Sequence, residues 1–329
     1  MRPYSVILGN LGNTCDRFLS TGYKTVVPKA EMVRQAASIP GISGIELIGN
    51  WDVTAKNVAS VKQLLARHKL KCVSIIPDHF SRKVWGSGAF TSRDPAVRRR
   101  AVAETREMMD VAVELGCPLL NLWPGQDGYD YPFQGDFLRA WDWLVDAVRE
   151  CAGYRQDIRL ALEYKPCEPR THSYAGLARA ADALLAAQAT GCANVGVTID
   201  VGHAFAAGEN VSESAALLAR AGRLFHLHFN DNYRSWDDDM IVGSVHTVEY
   251  VELLFWLRRL EYKGWYSMDQ YPYREDGREA IARSVEWLLA LERRIDRFGM
   301  KRLAAIVDRG LAVESTRALR ELLLGKERG

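Results

Sequence analysis

Charged and imidazole side chains stand at the ends of four consecutive apolar runs in the second half of the chain. The first run, "LALEYKP", closes with Glu163 and Lys165, which share one face of a strand because they lie two residues apart. Charged groups are costly to bury at the edge of a core unless they pair, hold an ion or take part in chemistry. The other side chains of metal-ligand type, in these runs and in the loop after the third, are Asp200, His203, His228, Asp237, Asp239 and Asp269.

Carboxylates and imidazoles gathered around one point are ligands for a hard or borderline divalent cation. Each residue also has an ordinary explanation, since an aspartate at a strand end is usually a turn former or helix N-cap. A buried histidine is usually a core residue, and we assign His226 to that class. For the others, placement on successive strand ends favours a shared site, with a second cation between His203, Asp237 and Asp239.

Eight short apolar runs alternate with segments of helical period, and together they predict an α/β fold, a TIM (β/α)8 barrel. Its active site would lie at the carboxyl ends of the strands. The rhythm changes after residue 295, so we predict a catalytic barrel over residues 1–295 and a helical tail over 296–329, broken at Gly310. The tail is expected to pack on the barrel or to join subunits in a homodimer or homotetramer. The predicted strands begin at Tyr4, Gly41, Leu70, Cys117, Ile158, Val195, Arg223 and Gly264.

Composition narrows the class of protein. The chain has 329 residues, 48% of them hydrophobic, and a formal net charge of +2, so no overall field favours nucleic acid or an anionic membrane. No apolar stretch has the length of a membrane helix, and the N-terminus lacks a signal-peptide pattern. The six cysteines are scattered without a C-x-x-C pair, which is typical of a reduced cytoplasmic protein.

Several motifs resemble those of the xylose-isomerase-like TIM-barrel superfamily, and most closely its L-rhamnose isomerase branch. They are "EYKPCEP", "DVGH", "HFNDNYRSWDDDMIVGS" and "VWGSGAFTSRDPAVRRRAV", and the resemblance covers roughly residues 40 to 275. It implies two divalent cations per subunit, Mn²⁺, Mg²⁺ or Co²⁺, and the interconversion of aldoses and ketoses. By position, the first metal would be held by Glu163, Asp200, His228 and Asp269, and the second by His203, Asp237 and Asp239 with a shared carboxylate.

This resemblance predicts an aldose–ketose isomerase that acts on a free, unphosphorylated sugar by a metal-assisted hydride shift. Lys165 would donate to the carbonyl oxygen where charge develops, and Asp237 would transfer the hydroxyl proton, with His203 beside them. The family commonly has a histidine that helps open the sugar ring, and its position in the L-rhamnose isomerase branch falls here on Ile48, so His79 is the candidate stand-in. The residues expected to contact substrate are Trp51, His79, Trp123, Glu168 and Trp236.

Three other functions stay open on the sequence alone. A ketose 3-epimerase of the same superfamily would use Glu163, Asp200 and His228 around one metal and Arg234 for substrate, but it leaves Lys165 unexplained. An abasic-site endonuclease of this fold needs a histidine-rich zinc cluster and a basic face, which seven histidines and a net charge of +2 do not favour. A non-catalytic sugar-binding barrel would be insensitive to metal removal.

Overall fold

A computed structural model describes residues 2–15, 18–167 and 172–325 of the chain. Glu168, predicted to contact substrate, lies outside the described residues. Each predicted apolar run contains one strand of the main sheet. The strands are β1 (Tyr4–Ile7), β2 (Ile42–Ile48), β3 (Lys71–Ile76), β4 (Leu119–Leu122), β5 (Arg159–Glu163), β6 (Val195–Asp200), β7 (Leu224–Phe229) and β8 (Tyr266–Met268).

These strands form a closed parallel barrel, as predicted. Each strand pairs with its neighbour in chain order, and β1 pairs with β8 to close the sheet. The register sets Ile7 opposite Glu46 and Asp200 opposite His228. Because all strands run in one direction, their carboxyl ends form a single rim, and the residues that end β5 and β6 lie side by side on it.

Helices connect the strands, and their ends follow local sequence signals. The third helix starts at Pro95, where Asp94 caps it by accepting the Ala96 N–H at 2.7 Å. It ends at Leu115, and Gly116 follows with a φ of 71°, which suits glycine. The helices are α1 (Lys29–Ser38), α2 (Val58–Arg67), α3 (Pro95–Leu115), α4 (Phe137–Tyr154), α5 (Ala180–Ala189), α6 (Val201–Ala206), α7 (Val211–Arg220), α8 (Thr247–Arg259), α9 (Gly277–Phe298), α10 (Met300–Arg309) and α11 (Ala312–Leu324).

The barrel strands are buried on both faces, which explains why they read as continuous apolar runs and not as alternating ones. One face packs inside the barrel and the other packs against the ring of helices, so the main core is a single connected cluster. Two short antiparallel strands outside the barrel, Gly128–Tyr129 and Tyr174–Ala175, join the loops that follow β4 and β5. The sequence analysis did not predict this pair.

In the part of the chain that the structure describes, three helices follow the last barrel strand. The longest, α9, continues to Phe298, and the tail helices α10 and α11 are separated at Gly310, the predicted break, where φ is 64°. The side chains of Ile306 and Leu322 are buried, and Arg294 Nη1 donates to the Leu322 carbonyl at 2.9 Å. Within the described residues, no helix combines the length and the apolar character needed to cross a membrane.

Candidate metal centre

Four acidic and imidazole side chains meet at the rim where β5, β6, β7 and β8 end. Glu163 and Asp200 are the last residues of β5 and β6, His228 lies in β7, and Asp269 directly follows β8. Each offers one ligand atom, and these atoms all lie within 4.8 Å of one another. The structure therefore brings together the four residues that the sequence predicts for the first metal.

A second group shares a member with the first. Ligand atoms of Asp200, His203 and Asp237 also lie within 4.8 Å of one another, so Asp200 is the carboxylate common to both groups. Asp239, predicted for the second metal, is not in this group. Asp239 lines the cavity that opens above both groups, and its Oδ1 accepts a hydrogen bond from Asn230 Nδ2 at 3.1 Å. The second group thus contains two of the three residues predicted for it, His203 and Asp237, and Asp200 as a shared carboxylate.

The "DVGH" motif is built around the N-terminus of α6. Asp200 caps this helix by accepting the His203 N–H at 2.8 Å, and this contact fixes one carboxylate oxygen. The other oxygen accepts from Asn230 Nδ2 at 2.8 Å. Glycine is needed at position 202 because a Cβ there would clash with the side-chain oxygen of Asn230. The motif therefore orients Asp200 and His203 through the backbone and through Asn230.

Lys165 reaches into the same centre. Its ammonium donates to Oδ2 of Asp237, and Nζ lies 3.3 Å from Nε2 of His203 and 5.8 Å from the centre of the Trp123 ring. Lys165 and Glu163 both line the cavity, as their spacing on one strand predicts. The side chains of Lys165 and Asp237 are only 5% and 10% exposed, so this ion pair is nearly shielded from water.

Burial and mutual repulsion disfavour the charged form of three of the carboxylates, Asp200, Asp239 and Asp269. Burial raises the pKa of Asp200 to about 7, and repulsion from Asp237, Asp269 and Glu163 adds to the effect while His203 opposes it. Burial, with neighbouring carboxylates, also raises the pKa of Asp239 and Asp269. A cation in this centre would relieve that repulsion.

At His203 and Asp237, nearby groups of opposite charge outweigh the effect of burial on the pKa. Burial alone would lower the pKa of His203, but Asp200 and Asp237 raise it to about 9. Burial alone would raise the pKa of Asp237, but Lys165 and His203 outweigh it and lower that pKa. Asp237 therefore stays ionised beside two cations, whereas Asp200 holds its charge weakly.

Buried atoms without partners test whether a metal fits this centre. Nδ1 of His203, Oδ1 of Asp237 and Oδ1 of Asp269 are buried and have no hydrogen-bond partner among the described residues. Buried polar atoms are rarely left unsatisfied, because such atoms lose their bonds to water without replacement. These three atoms belong to the two ligand groups, and a set of carboxylate oxygens and imidazole nitrogens suits Mn²⁺, Mg²⁺ or Co²⁺. The residues therefore fit divalent cations.

Sequence reasoning missed Glu46, a carboxylate buried in the barrel directly behind His228. Its oxygens accept from His226 Nε2 at 2.7 Å and from His228 Nε2 at 3.3 Å, and also from the hydroxyls of Ser74 and Ser267. Burial alone would raise the pKa of Glu46, but the two histidines hold it well below its usual range. Nδ1 of His228 thus lies 3.3 Å from Oε1 of Glu163 and 3.3 Å from Oδ2 of Asp269, while its Nε2 contacts Glu46. A charged residue inside the run "GISGIELIG" was the available signal.

Asn121 is a second residue that sequence reasoning missed. It lies on β4 and donates through Nδ2 to Glu163 Oε2, while its Oδ1 accepts from Thr198 Oγ1 at 2.5 Å. The Asn121 amide therefore fixes Oε2 of Glu163, while Oε1 of Glu163 faces His228. Together with Glu46, Asn121 supplies the contacts that orient ligands from behind, the arrangement common around protein metal sites.

A cavity of about 660 Å³ opens above the centre. Trp51, Trp123 and Trp236, predicted to contact substrate, all line it. His79 is not among the residues lining it. The imidazole is buried between Trp85 and Phe90, with ring centres 5.3 and 5.0 Å away. His79 is therefore a core residue, which corrects its prediction as the residue that opens a sugar ring.

Residues 33–291 match the family described as "Xylose isomerase-like TIM barrel". Xylose isomerase from Thermus thermophilus is 32% identical over 229 residues, which cover 68% of this chain and 59% of that protein. Xylose isomerase from Thermus caldophilus is 30% identical over the same shares. The chain thus matches less than two thirds of the length of these relatives.

Solved structures share the fold at lower identity. A D-tagatose 3-epimerase-like protein superposes with a TM-score of 0.68 at 18% identity, covering 90% of this chain and 100% of that one. D-allulose 3-epimerase from Methylomonas sp. gives 0.67 at 16% identity, covering 88% and 96%. 3-Keto-D-glucoside 4-epimerase from E. coli gives 0.63 at 17% identity, covering 79% and 93%. The L-rhamnose isomerase branch stays a prediction, because the family match is to the superfamily as a whole. The chain belongs to the xylose isomerase-like TIM barrel family.

Proposed function

We propose that this protein is a metal-dependent aldose–ketose isomerase that acts on an unphosphorylated sugar and moves hydrogen between C1 and C2 as hydride. The observation that carries the proposal is the pair of ligand groups sharing Asp200, with Lys165 lining the same cavity in contact with His203 and Asp237. Two groups can hold two cations, and an isomerase has two neighbouring substrate oxygens to bind. Its relatives named xylose isomerase support the same reaction.

Each group in the centre has a defined part in this proposal. Glu163, Asp200, His228 and Asp269 would hold one cation, and His203 and Asp237 with Asp200 the other. Bound cations would supply Lewis acidity, polarising the carbonyl and making the neighbouring hydroxyl more acidic.

The protein's own side chains supply the remaining chemistry. Lys165 would donate to the carbonyl oxygen as negative charge develops there. Asp237 presents Oδ1, which is buried without a hydrogen-bond partner among the described residues, to accept the proton of the substrate hydroxyl. Its lowered pKa keeps Asp237 ionised, so Oδ1 is available as a hydrogen-bond acceptor. Trp123 and Trp236 on the cavity wall would exclude water during the transfer.

A ketose 3-epimerase is the second candidate, and one feature favours it. Glu163 and Asp269 both lie at 3.3 Å from His228 Nδ1, so two carboxylates flank one metal position, as a two-base proton transfer requires. The epimerase names of the solved structures agree with this reading. Against it, Arg234 pairs with Glu249 at 3.0 Å and is not among the residues lining the cavity. The epimerase also gives Lys165 and Asp237 no part.

One experiment separates the two reactions. Protein treated with chelator and reloaded with Mn²⁺, Co²⁺ or Mg²⁺ is incubated in D₂O with a panel of aldoses and ketoses, and the products are analysed by NMR. A hydride shift transfers hydrogen within the substrate, so the isomerase is expected to give aldose–ketose conversion with little deuterium in the product. Formation of a C3-epimerised ketose that carries deuterium at C3 would contradict the isomerase and support the epimerase.

Metal removal provides the control for both reactions. The chelated protein is expected to be inactive and to regain activity on reloading, because seven side chains of ligand type face one rim. Full activity without metal would contradict both assignments. Complete inactivity of the reloaded protein on every sugar, with sugar binding retained, would instead support a non-catalytic barrel.

A further inference from the structure

The loop that follows β7 carries a ligand of the second group and is closed at its base. Residues 232–239 include Asp237 and Asp239, and we call this segment the carboxylate loop. Asp231 and Met240 flank it and form an antiparallel bridge. In this bridge the Asp231 N–H donates to the Met240 carbonyl at 3.1 Å, and the Met240 N–H donates to the Asp231 carbonyl at 2.7 Å. The position of Asp237 therefore depends on what holds the bridge.

The Asp231 side of the bridge is attached to the start of α8. Oδ1 of Asp231 lies 2.7 Å from Nδ1 of His246, and its Oδ2 accepts the N–H groups of Val245 and His246 at 2.9 and 3.0 Å. Asp231 and His246 are both buried. These contacts fix one end of the carboxylate loop to a helix that carries none of the predicted metal ligands.

The Met240 side of the bridge is attached to Gln270, the residue after Asp269. Nε2 of Gln270 donates to the Met240 carbonyl at 2.8 Å. Oε1 of Gln270 accepts from Ser284 Oγ at 3.0 Å, and Ser284 Oγ in turn accepts the Val242 N–H at 3.1 Å. Both ends of the Gln270 amide thus hold the segment that leaves the carboxylate loop, one directly and one through Ser284.

The backbone beside Gln270 is fixed by other contacts. The Asp269 N–H donates to the Phe229 carbonyl at 3.1 Å, and the Gln270 N–H donates to Oδ1 of Asn10 at 2.9 Å. Neither bond uses the side chain of Gln270. A change to that side chain should therefore leave Asp269, a ligand of the first group, in its place.

The contacts of the Gln270 side chain are shielded from water. Gln270 is 1% exposed and Ser284 is fully buried. A side chain that cannot form hydrogen bonds at position 270 would leave the Met240 carbonyl and the Ser284 hydroxyl with fewer partners, and water would not readily replace them. The Tyr271 N–H, which donates to the Asp239 carbonyl at 3.2 Å, joins the same two segments more weakly placed along the loop.

We propose that Gln270 is a positioning residue that fixes the spacing between the two ligand groups. Its amide joins the segment that bears Asp269, of the first group, to the loop that bears Asp237, of the second. The proposal rests on the two ligand groups of the function proposed above, but not on which sugar reaction they serve. Without the amide, Asp237 would move relative to Asp200, so the second group would lose cation affinity while the first group keeps it.

Calorimetric titration of the metal-free variant Gln270→Met with Mn²⁺ tests this role. Methionine has nearly the same length but cannot donate to the Met240 carbonyl. Affinity at the second group is expected to fall about 10- to 100-fold, the usual effect of losing a contact behind a metal site, and affinity at the first group is expected to stay unchanged. Asp237→Asn shows which step of the titration belongs to the second group. Equal loss at both groups, or loss at neither, would overturn the proposal.

A second variant at the same contact keeps the test usable if Gln270→Met does not fold. Ser284→Ala removes the hydroxyl that holds Oε1 of Gln270 and should cause a smaller loss of the same kind, confined to the second group. Unchanged affinity at the second group in folded Ser284→Ala would contradict the link through this hydroxyl.

Asn194→Met is the matched control for a general loss of stability. Asn194 lies directly before β6, at the opposite end of the barrel, where its Nδ2 donates to the carbonyls of Ala152, Arg155 and Ile158 at 3.1, 3.2 and 3.0 Å. This variant also loses bonds from an amide to backbone carbonyls, so it should lower Tm without changing the ratio of the two Mn²⁺ affinities. If Asn194→Met weakened the second group as much as Gln270→Met, the positioning role would be wrong.

Hydrogen exchange of the metal-free protein tests the contact without a cation. The N–H groups of Met240 and Tyr271 both bond across the segments that Gln270 joins, so they should exchange about tenfold faster in Gln270→Met and at the wild-type rate in Asn194→Met. Two Mn²⁺ ions in the wild type with unchanged affinities and exchange in Gln270→Met would overturn the positioning role alone. A wild type that binds one Mn²⁺ would overturn the two-cation function and this role together.

Discussion

Replacing Lys165 with methionine would remove the ammonium that holds Asp237 while retaining most of the side-chain volume. The structure predicts two separate effects, one on the metal-free protein and one on turnover. In the metal-free protein, the partner left to Asp237 among the described residues would be His203, whose Nε2 lies 3.1 Å from Oδ2. Both partners of the lost pair are nearly buried, at 5% and 10% exposure, so solvent replaces little of the lost attraction.

The size of the stability loss follows from this burial. Breaking a buried ion pair by removing one partner costs about 3–5 kcal/mol, and the remaining His203 contact favours the lower figure, about 3 kcal/mol. At about 2.1 cal/mol/K per residue, the unfolding entropy of this chain is roughly 0.7 kcal/mol/K, so Tm should fall by about 4 °C. A divalent cation bound by Asp237 would replace the ammonium charge. Saturating Mn²⁺ should therefore raise Tm more in the variant than in the wild type.

Calorimetric melting with and without Mn²⁺ measures the first effect, and steady-state kinetics of the metal-loaded enzyme measures the second. Loss of one donor to a developing oxyanion should lower kcat by about a hundredfold or more. Lys62→Met, the same change on an exposed lysine of α2, is the matched control and should alter neither quantity. Wild-type turnover by Lys165→Met would refute the proposed donation to the carbonyl oxygen, and an equal metal-induced rise in Tm in both proteins would refute the stabilising role of the Lys165–Asp237 pair.

Three further predictions concern residues outside the rim. Glu46→Gln removes the charge behind His228 and should weaken Mn²⁺ binding about 10- to 100-fold by calorimetry, and unchanged affinity would contradict its orienting role. The pKa of His79 is lowered by burial from 6.5 to about 4, so the unfolded chain binds this proton first as pH falls. The folded protein should therefore lose about 2 kcal/mol of stability from this group between pH 7 and 5, and urea titrations of His79→Leu should lack that component. Leu311 and Val313 in the tail are 53% and 70% exposed. If the tail joins subunits, the double variant Leu311→Glu, Val313→Glu should halve the mass measured by light scattering. The control Leu217→Glu, at a residue of α7 that is 55% exposed, should leave that mass unchanged.

The barrel was predictable because of how it buries its strands. A parallel strand covered by helices on one side and by the barrel interior on the other has no polar face, so it appears in sequence as a short apolar run. Ligand residues at the ends of such runs then fall on one rim without any further assumption. Glu163, Asp200, His228 and Asp269 could be grouped for this reason, and their ligand atoms are within 4.8 Å of one another.

Side-chain partners at the same rim were less predictable. The spacing of Glu163 and Lys165 indicates a common face, but nothing in it specifies that Lys165 turns to Asp237, a residue of a distant loop. His79 was placed at the rim because it follows β3 closely, yet its ring turns inward between Trp85 and Phe90. Chain position gives the level of a residue along the barrel axis, whereas rotamer and loop path decide whether it faces the cavity or the core.

Glu46 shows most directly why the direction of a side chain could not be predicted from the sequence. It meets His226 and His228 across the barrel interior, where the two strands are separated by most of the fold in sequence. The pairing register of β2 with β3 shifts between Ile45 and Glu46, which changes which residues of β2 oppose those of its neighbour. In a regular strand a one-residue shift exchanges the two faces, so an irregularity at this point makes side-chain direction unreadable from alternation alone. Once the shift is known, Glu46 is the buried carboxylate that two histidines and two serines require, and the orientation of His228 follows from it.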